Sequence, residues 1–218
     1  MNMKRNKCVC GKTKDTSGNC VGSHTNTSRI INYIVFTIAF LFSSFAIATT
    51  LSNDKEVNIK SSNIFWKGEK VTGSHEGNIS LKSGVLKFDD KKLVGGNIVI
   101  NMNTIDCTDL TGEYKSKLEG HLKSNDFFGV EEYPEAILKI TKVKSKGKSK
   151  YACTADLTIK GITKEIKFEA ELGKGDATTN IVIDRTKFNV KYGSGSFFKG
   201  LGDKMIYDEF EISVDLVY

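Results

Sequence analysis

Hydrophobic and polar residues alternate with a period of two through most of the chain after Val57. Residues 206–217 show the pattern most clearly, because acidic residues and a serine separate four apolar ones, Phe210, Ile212, Val214 and Leu216. Similar apolar runs lie at residues 64–68, 73–83, 86–88, 98–102, 137–143, 151–160, 161–172 and 180–190. Successive side chains of a strand point to opposite faces, so each run predicts a strand with one dry and one wet face. Gly- and Lys-rich turns between the runs indicate an antiparallel sheet.

One segment near the middle of the chain interrupts this alternation. A helix over residues 113–123 is predicted there from three apolar residues at i, i+4 and i+8 spacing, Tyr114, Leu118 and Leu122. Three polar residues end the helix, and the aromatic pair Phe127 and Phe128 follows where polar loop residues are expected. A helix with an aromatic loop inside an all-strand chain is the candidate cap of a barrel.

About eight strands with one helical insert predict an all-β fold, a single closed antiparallel barrel of eight strands. A barrel of this size is either filled by its own side chains or holds one small ligand. The inward residues are mainly Ile, Leu, Phe and Val, with Gly and Ala interspersed. A solid core and an apolar cavity are both consistent with that composition.

Two regions precede the barrel domain of residues 51–218: a leader at 1–29 and an apolar segment at 30–50. Twenty-four consecutive residues between Arg29 and Asp54 carry no charge, and roughly 20 apolar residues span a bilayer core. The segment is either an uncleaved signal anchor or a cleaved signal peptide. The long leader favours the anchor. The short apolar core favours a signal peptide that is cut after the A-x-A pattern ending at Ala48. Both interpretations leave the basic leader in the cytoplasm and export the barrel. The barrel is expected to face the periplasm, anchored in the inner membrane, or to be freely periplasmic if cleavage occurs near Ala48.

The net charge of +6 lies almost entirely in the leader and the apolar segment. Residues 1–50 contain six Lys or Arg and one acidic residue, which gives +5. The remaining 26 basic and 25 acidic residues leave the barrel domain at +1. A nucleic-acid-binding protein needs a net basic face, so nucleic acid is not an expected partner.

The leader also contains a candidate metal site formed by Cys8, Cys10, Cys20 and His24. Thiolates and an imidazole at such close spacing can bind zinc or an iron–sulfur cluster. The segment CVCGKTKDTSGNCVGSH resembles the CDGSH motif, whose family binds a [2Fe–2S] cluster through three Cys and one His, although Val21 replaces the motif's Asp. The resemblance implies these four residues as cluster ligands, and a homodimer as the matching assembly. A leader with free thiols is the alternative.

The barrel domain resembles the YceI-like family of polyisoprenoid-binding proteins across residues 55–217. Five segments carry the resemblance in family order: IFWKGEKVTGSHEGNI, VLKFDDKKLVGGNIVINMNTI, GHLKSNDFFGVEEYPEA, ADLTIKGITKEIKF and IDRTKFNV. The resemblance implies export, a lipocalin-type barrel and a bound isoprenoid chain, such as a polyprenyl or quinone tail. From the alternation of the strands, the predicted lining is Trp66, Phe88, Ile100, Leu157, Phe168, Ile183 and Phe210, with Leu118, Phe127 and Phe128 near the mouth. Lys123, Asp126 or Arg185 would then meet a ligand head group.

The sequence does not predict an enzyme. No carboxylate pair, Ser/His/Asp set or histidine cluster falls on a predicted apolar face. His75, in a predicted turn, and His121, on the predicted helix, are interpreted as structural hydrogen-bonding residues. Arg185 follows Asp184, which indicates an ordinary surface ion pair as the alternative to a head-group contact.

Two functions follow as hypotheses. The first is an exported, membrane-tethered lipid-binding protein that stores or presents an isoprenoid beside the membrane. The second is a redox relay that couples a cytoplasmic [2Fe–2S] site to a quinone-type ligand in the barrel. Cys107 and Cys153 are the cysteines of the barrel domain, and an oxidising compartment permits a disulfide between them.

Overall fold

The computed structural model of this chain describes residues 53–58 and 60–218. This part of the chain contains nine strands, one α-helix and two short 3-10 helices. The strands are β1 (Lys55–Glu56), β2 (Asn63–Lys70), β3 (Gly73–Asp89), β4 (Lys92–Cys107), β5 (Glu135–Gly147), β6 (Lys150–Ile159), β7 (Ile162–Leu172), β8 (Asp176–Asp184) and β9 (Ile206–Val217). The helix α1 is Gly112–Lys123, and the 3-10 helices are Arg185–Phe188 and Gly202–Lys204.

Strands β2 to β9 form a closed antiparallel barrel, as predicted. Each strand pairs with the next one along the chain, and pairing of β9 with β2 closes the circle. Trp66, for example, lies opposite Ile212 of β9 on one side and Gly77 of β3 on the other. The short β1 pairs with the second half of β3, beyond the stretch that β2 occupies. Closure leaves no long free edge on the barrel.

Tight hairpins account for the short connections around the barrel. In three of them both loop residues have positive φ angles: Asp90–Lys91, Lys148–Ser149 and Lys160–Gly161. Left-handed residues at both positions belong to the turn type whose twist matches that of paired strands. The turns expected after the runs that end at residues 88 and 143 are therefore hairpin turns, although β5 continues to Gly147 before the second one.

The seam between β7 and β8 is the shortest in the barrel. Backbone pairing covers residues 170–172 of β7 and residues 177–179 of β8. β8 ends at Asp184, so the prediction of a strand over 180–190 is wrong in its second half. The Asp184 side chain instead accepts a hydrogen bond from the Thr186 amide, 3.0 Å away, and caps the 3-10 helix that follows. Such capping satisfies an amide that the helix leaves unpaired.

The predicted helix is confirmed, with one difference in the face that it buries. Leu122 is buried and Leu118 is partly buried, but Tyr114 is 75% exposed. Only the second half of α1 reaches the interior of the barrel, so the i, i+4, i+8 spacing overestimates its buried face. Within residues 53–58 and 60–218, no helix is both long and apolar enough to cross a membrane. The leader and the apolar segment at 30–50 lie outside those residues.

Candidate functional site

The barrel encloses an apolar cavity of about 550 Å³. This size falls within the range of roughly 300–1,000 Å³ that is typical of small-molecule sites. Inward-facing residues from β2 to β9 form its wall, with α1 and the loop after it at one end. The amino-acid composition is consistent with either a solid core or an apolar cavity. The structure contains the cavity.

Nine of the ten residues predicted to line a cavity lie on this wall: Trp66, Ile100, Leu118, Phe127, Phe128, Leu157, Phe168, Ile183 and Phe210. Phe88 does not line the cavity. It is buried near the β3–β4 hairpin, and its ring centroid lies 5.2 Å from that of Tyr218. Leu86, two residues earlier on the same strand, takes the corresponding place on the wall. Phe88 therefore packs beyond the end of the cavity, against Tyr218.

Aromatic side chains from α1 and the following loop lie at one end of the cavity, which we call the mouth. Phe127 is buried and Phe128 is partly buried, and their ring centroids are 5.3 Å apart in an edge-to-face arrangement. Phe128 contacts Phe210 of β9 at 6.3 Å between centroids, and His121 contacts Phe127 at 5.5 Å. These distances are within the range of favourable aromatic pairs. The two phenylalanines thus connect the helix to the barrel wall.

Tyr192 is a lining residue that the sequence did not indicate. Its ring packs edge-to-face on His121, with 4.4 Å between centroids, and it also lines the cavity. About half of its side chain is exposed. Lys204 and Tyr207 likewise are exposed and line the cavity. The cavity therefore reaches the protein surface at the mouth.

Arg185 is buried, so its interpretation as half of a surface ion pair with Asp184 is wrong. Only 2% of it is exposed. Its guanidinium donates three hydrogen bonds of 2.8 to 3.0 Å to backbone carbonyl oxygens of Val190, Ile206 and Tyr207. Burial lowers the pKa of Arg185, but a guanidinium stays charged in proteins. Charge-assisted hydrogen bonds to three carbonyls compensate part of the cost of burying that charge.

Asp208 is the nearest carboxylate to this buried cation. Its Oδ1 lies 3.7 Å from a terminal nitrogen of Arg185. The same oxygen is buried and has no hydrogen-bond partner among the described residues, while Oδ2 accepts a hydrogen bond of 2.5 Å from the Ser196 hydroxyl. Arg185 itself lines the cavity beside Phe127. The mouth thus contains one fixed, buried positive charge.

Two further residues predicted to meet a head group are not on the cavity wall. Lys123 is partly buried at the end of α1 and Asp126 is exposed, and neither lines the cavity. Polar groups at the mouth come instead from the ends of strands, from α1, from the 3-10 helix at Arg185–Phe188 and from the segment before β9. Those that line the cavity are Glu69, Lys70, His75, His121, Arg185, Tyr192, Asp203, Lys204, Tyr207 and Glu209.

His75 lies within strand β3, as the run at 73–83 predicts and not in the turn expected for His75 itself, and it faces Asp109. Its Nδ1 is 2.9 Å from Asp109 Oδ2, and the Cys107 thiol donates a hydrogen bond of 3.0 Å to Asp109 Oδ1. Partial burial alone would raise the pKa of Asp109, but the hydrogen bonds from Cys107 and His75 outweigh it and lower this pKa to about 2. Burial and the nearby carboxylate raise the pKa of Cys107. A protonated thiol is a poor nucleophile, so this arrangement does not favour thiol chemistry.

Cys107 and Cys153 are both buried and both free thiols, so no disulfide joins them. Burial raises the pKa of Cys153 to about 11. The part of the chain that the structure describes contains no cluster of His, Cys, Asp or Glu side chains that could hold a metal ion. The predicted ligands Cys8, Cys10, Cys20 and His24 lie outside this part.

Comparison with known proteins identifies related sequences and folds. The profile of the YceI-like domain family matches residues 55–218. A UPF0312 protein of Vibrio parahaemolyticus is 35% identical over 102 residues, which are 46% of this chain and 52% of that protein. The chain thus spans about half the length of the curated relatives that it matches.

Two solved structures share the fold. BcnA of Burkholderia cenocepacia superposes with a TM-score of 0.60 and 24% identity, over 74% of this chain and 99% of that one. A polyisoprenoid-binding domain from Saccharophagus degradans, implicated in plant cell wall breakdown, superposes with a TM-score of 0.51 and 11% identity. That match covers 74% of this chain and 95% of the other. At these identities the two structures support the barrel architecture.

Proposed function

Because the chain belongs to the YceI-like domain family, we propose that its barrel binds a lipid with an isoprenoid chain, of the polyprenyl or quinone-tail type. The observation that carries this proposal is the apolar cavity of about 550 Å³ that reaches the surface at the mouth. The polyisoprenoid binding of the Saccharophagus degradans domain, which shares the architecture, also supports it.

The distribution of apolar and polar groups supports a ligand with an apolar tail and a polar head. Ile, Leu, Val and Phe side chains line most of the cavity, and Thr178 and Thr179 are the polar lining residues away from the mouth. Burial of an apolar chain contributes about 25 cal/mol per Å², so the tail alone can supply most of the affinity. A head group at the mouth would meet the polar side chains of β2, β9 and the segment before β9. The buried cation of Arg185 would favour an acceptor or an anion there.

Lipids extracted from the purified domain test this proposal. Residues 51–218 form one compact unit that contains the closed sheet and its core, so this fragment can be prepared without the apolar segment. Mass spectrometry of an organic extract should find an isoprenoid lipid in near-stoichiometric amount. A fragment that contains no lipid, and that takes up none from added polyprenyl phosphate or ubiquinone, would overturn the proposal.

Two neighbouring residues of β8 provide a matched pair of variants. Ile183 lines the cavity, whereas Val182 points outward and is 58% exposed. Ile183→Trp should fill part of the cavity and lower the lipid content several-fold, because tail and indole compete for the same volume. Val182→Trp adds the same group outside the barrel and should leave the lipid content unchanged. Equal lipid content in both variants would place the ligand outside the cavity.

We also propose that the domain works in the periplasm, tethered to the inner membrane or released from it. The charge-free stretch after Arg29 and the basic leader before it support export of the domain. N-terminal sequencing of the mature protein distinguishes the two forms. A mature chain that begins near Thr49 is the released form, and a chain that keeps Cys8 to His24 is the tethered one. A protein recovered wholly in the cytosolic fraction contradicts both.

A further inference from the structure

Exposed apolar side chains are concentrated at the mouth. The described part of the chain contains eight large apolar residues with high exposure, and five of them belong to the segments around the mouth. We call these five the rim patch: Val71, Tyr192, Phe197, Phe198 and Tyr207. Val71 is the tip of the β2–β3 hairpin, and its amide donates a hydrogen bond of 3.1 Å to the carbonyl of Met205. The hairpin tip and the segment at 191–205 are therefore adjacent.

The rim patch is continuous with the wall of the cavity. Tyr192 and Tyr207 are exposed on the surface and also line the cavity. Phe197 and Phe198 follow in the same segment. There the Phe198 amide donates a hydrogen bond of 2.9 Å to the backbone carbonyl of the buried Ser194. An apolar ligand that leaves the cavity at this end can thus stay in contact with the exposed rings of Tyr192 and Tyr207.

Lysines accompany the exposed aromatic residues. The ammonium of Lys191 lies 4.6 Å from the centroid of the Phe197 ring, and Lys199 follows Phe198 directly. The segment at 191–205 contains three lysines and one acidic residue, Asp203, so it carries +2, while the whole of residues 51–218 carries +1. Nearby, Glu69 is paired with a lysine at 2.6 Å, Asp208 faces the buried guanidinium, and Glu209 is exposed.

Arg185 fixes both ends of this segment. Its three hydrogen bonds go to Val190, just before the segment, and to Ile206 and Tyr207, just after it. Ser194 is fully buried and forms a bridge with Ile206. Both ends of the segment are therefore held against the barrel, while Phe197 and Phe198 between them are about half exposed.

We propose that the rim patch is a membrane-docking surface that places the mouth against an anionic lipid bilayer. Aromatic residues flanked by lysines suit the bilayer interface, where rings enter the head-group layer and ammonium groups meet anionic lipids. This inference rests on the proposed lipid ligand, because an isoprenoid chain could then pass between bilayer and cavity without crossing water. An aqueous protein partner would not require an apolar patch that is continuous with the cavity wall.

Co-sedimentation with vesicles tests the docking surface. The fragment of residues 51–218 is mixed with vesicles of phosphatidylcholine, with or without phosphatidylglycerol. We expect the fragment to bind the vesicles that contain phosphatidylglycerol. Salt should weaken this binding, because it screens the attraction between the lysines and the anionic lipid. Phe197→Ser combined with Phe198→Ser should lower the partition coefficient by about tenfold or more, because two inserted rings are lost. Lys191→Gln combined with Lys199→Gln should lower it by about tenfold or more on anionic vesicles only.

Tyr114→Ser is the matched control, because Tyr114 is 75% exposed on α1 and does not line the cavity. It should bind vesicles as the unaltered fragment does. Equal vesicle binding by the double phenylalanine variant and the control would overturn the docking surface. A fragment that does not bind vesicles and instead dimerises through the same residues would also overturn it. That result would identify the rim patch as a contact between copies of the chain.

Lipid extraction from the same preparations separates the docking surface from the proposed ligand. A double phenylalanine variant that keeps its bound lipid but no longer sediments with vesicles supports both. A fragment that contains no lipid but still binds vesicles through Phe197 and Phe198 supports the docking surface while the proposed ligand fails. Thermal unfolding of each variant verifies that the barrel is intact.

Discussion

The guanidinium carbon of Arg185 lies 5.5 Å from the centroid of the Phe127 ring. This contact joins two parts of the mouth that are far apart in the sequence: the aromatic loop after α1 and the segment that leads into β9. A cation near an aromatic face contributes about 0.5–2 kcal/mol, more when it is desolvated. Because Arg185 also donates hydrogen bonds to three backbone carbonyls, it connects the aromatic loop to the segment at 191–205 and to β9.

Replacement of Arg185 should destabilise the barrel strongly. Arg185→Met leaves the carbonyls of Val190, Ile206 and Tyr207 without their charged donor, and we expect a loss of about 3 kcal/mol or more in the free energy of unfolding. Urea denaturation followed by tryptophan fluorescence measures the loss. Lys187→Met in the same 3-10 helix is the control, because its side chain is 64% exposed and should change stability by about 0.5 kcal/mol or less. If the two variants were equally stable, Arg185 would not be needed to connect the walls of the mouth.

The two phenylalanines of the aromatic loop should behave differently from each other. Phe127 is only 6% exposed and lies beneath the guanidinium, so Phe127→Ala should cost about 3–5 kcal/mol in stability. Phe128 is partly buried, so Phe128→Ala should cost less and mainly speed the release of bound lipid to acceptor vesicles. Lipid remaining after a timed incubation with vesicles measures that release. Slower or unchanged release from Phe128→Ala would contradict its role in closing the mouth.

The sequence predicted the barrel wall well because a period of two is unambiguous where one face of a strand is buried. Leu157, Phe168 and Ile183 all follow that rule and line the cavity. Phe88 obeys the same alternation. However, periodicity predicts which face of the strand a side chain is on, and it does not predict how far along the barrel axis that side chain lies. Its partner, Tyr218, is 130 residues away in the sequence, so no local pattern could indicate that contact.

The mouth was less predictable, since its residues come from segments without a repeating pattern. Tyr192 lies in a Gly- and Ser-rich stretch that reads as an ordinary loop. Arg185 beside Asp184 has the sequence of a surface ion pair, and its burial depends on carbonyls up to 22 residues later in the chain. One feature of the sequence did indicate that this loop is not an ordinary one. It contains two adjacent phenylalanines, Phe197 and Phe198, which are unusual in a solvent-exposed loop.

The Asp109 carboxylate should make the barrel sensitive to acid. Its pKa in the folded state is lowered from 3.8 to about 2, because hydrogen bonds from Cys107 and His75 outweigh the effect of burial. A lowered pKa stabilises the fold at pH values above 3.8, and this contribution is lost as the pH falls toward 2. Asp109→Asn should therefore be less stable than the unaltered fragment at pH 7, and the difference should close between pH 4 and 2.

Chemical denaturation at a series of pH values measures this difference, with Asp126→Asn as the control, because Asp126 is an exposed loop residue. The control should follow the unaltered fragment at every pH. A gap between Asp109→Asn and the unaltered fragment that stays constant down to pH 2 would mean that Asp109 acts through packing and not through its charge.

Gly77 and Gly120 should respond in opposite directions to the same substitution. Gly77 lies where β3 pairs with both neighbours, opposite Trp66 and Cys107. A Cβ atom added there would lie 1.9 Å from the backbone oxygen of Asp106 and 2.9 Å from the Trp66 ring. Backbone cannot yield as a flexible side chain can, so Gly77→Ala should force the two strands apart and cost about 3 kcal/mol or more.

Gly120 lies in α1, and a Cβ atom added there meets no atom within 4 Å. Gly120→Ala should stabilise the protein by about 0.5–1 kcal/mol, because alanine loses less conformational entropy in a helix. Thermal unfolding of both variants measures the contrast, and lipid extraction shows whether the cavity survives in Gly77→Ala. If Gly77→Ala unfolds at the temperature of the unaltered fragment, a methyl group at residue 77 does not force β3 and β4 apart.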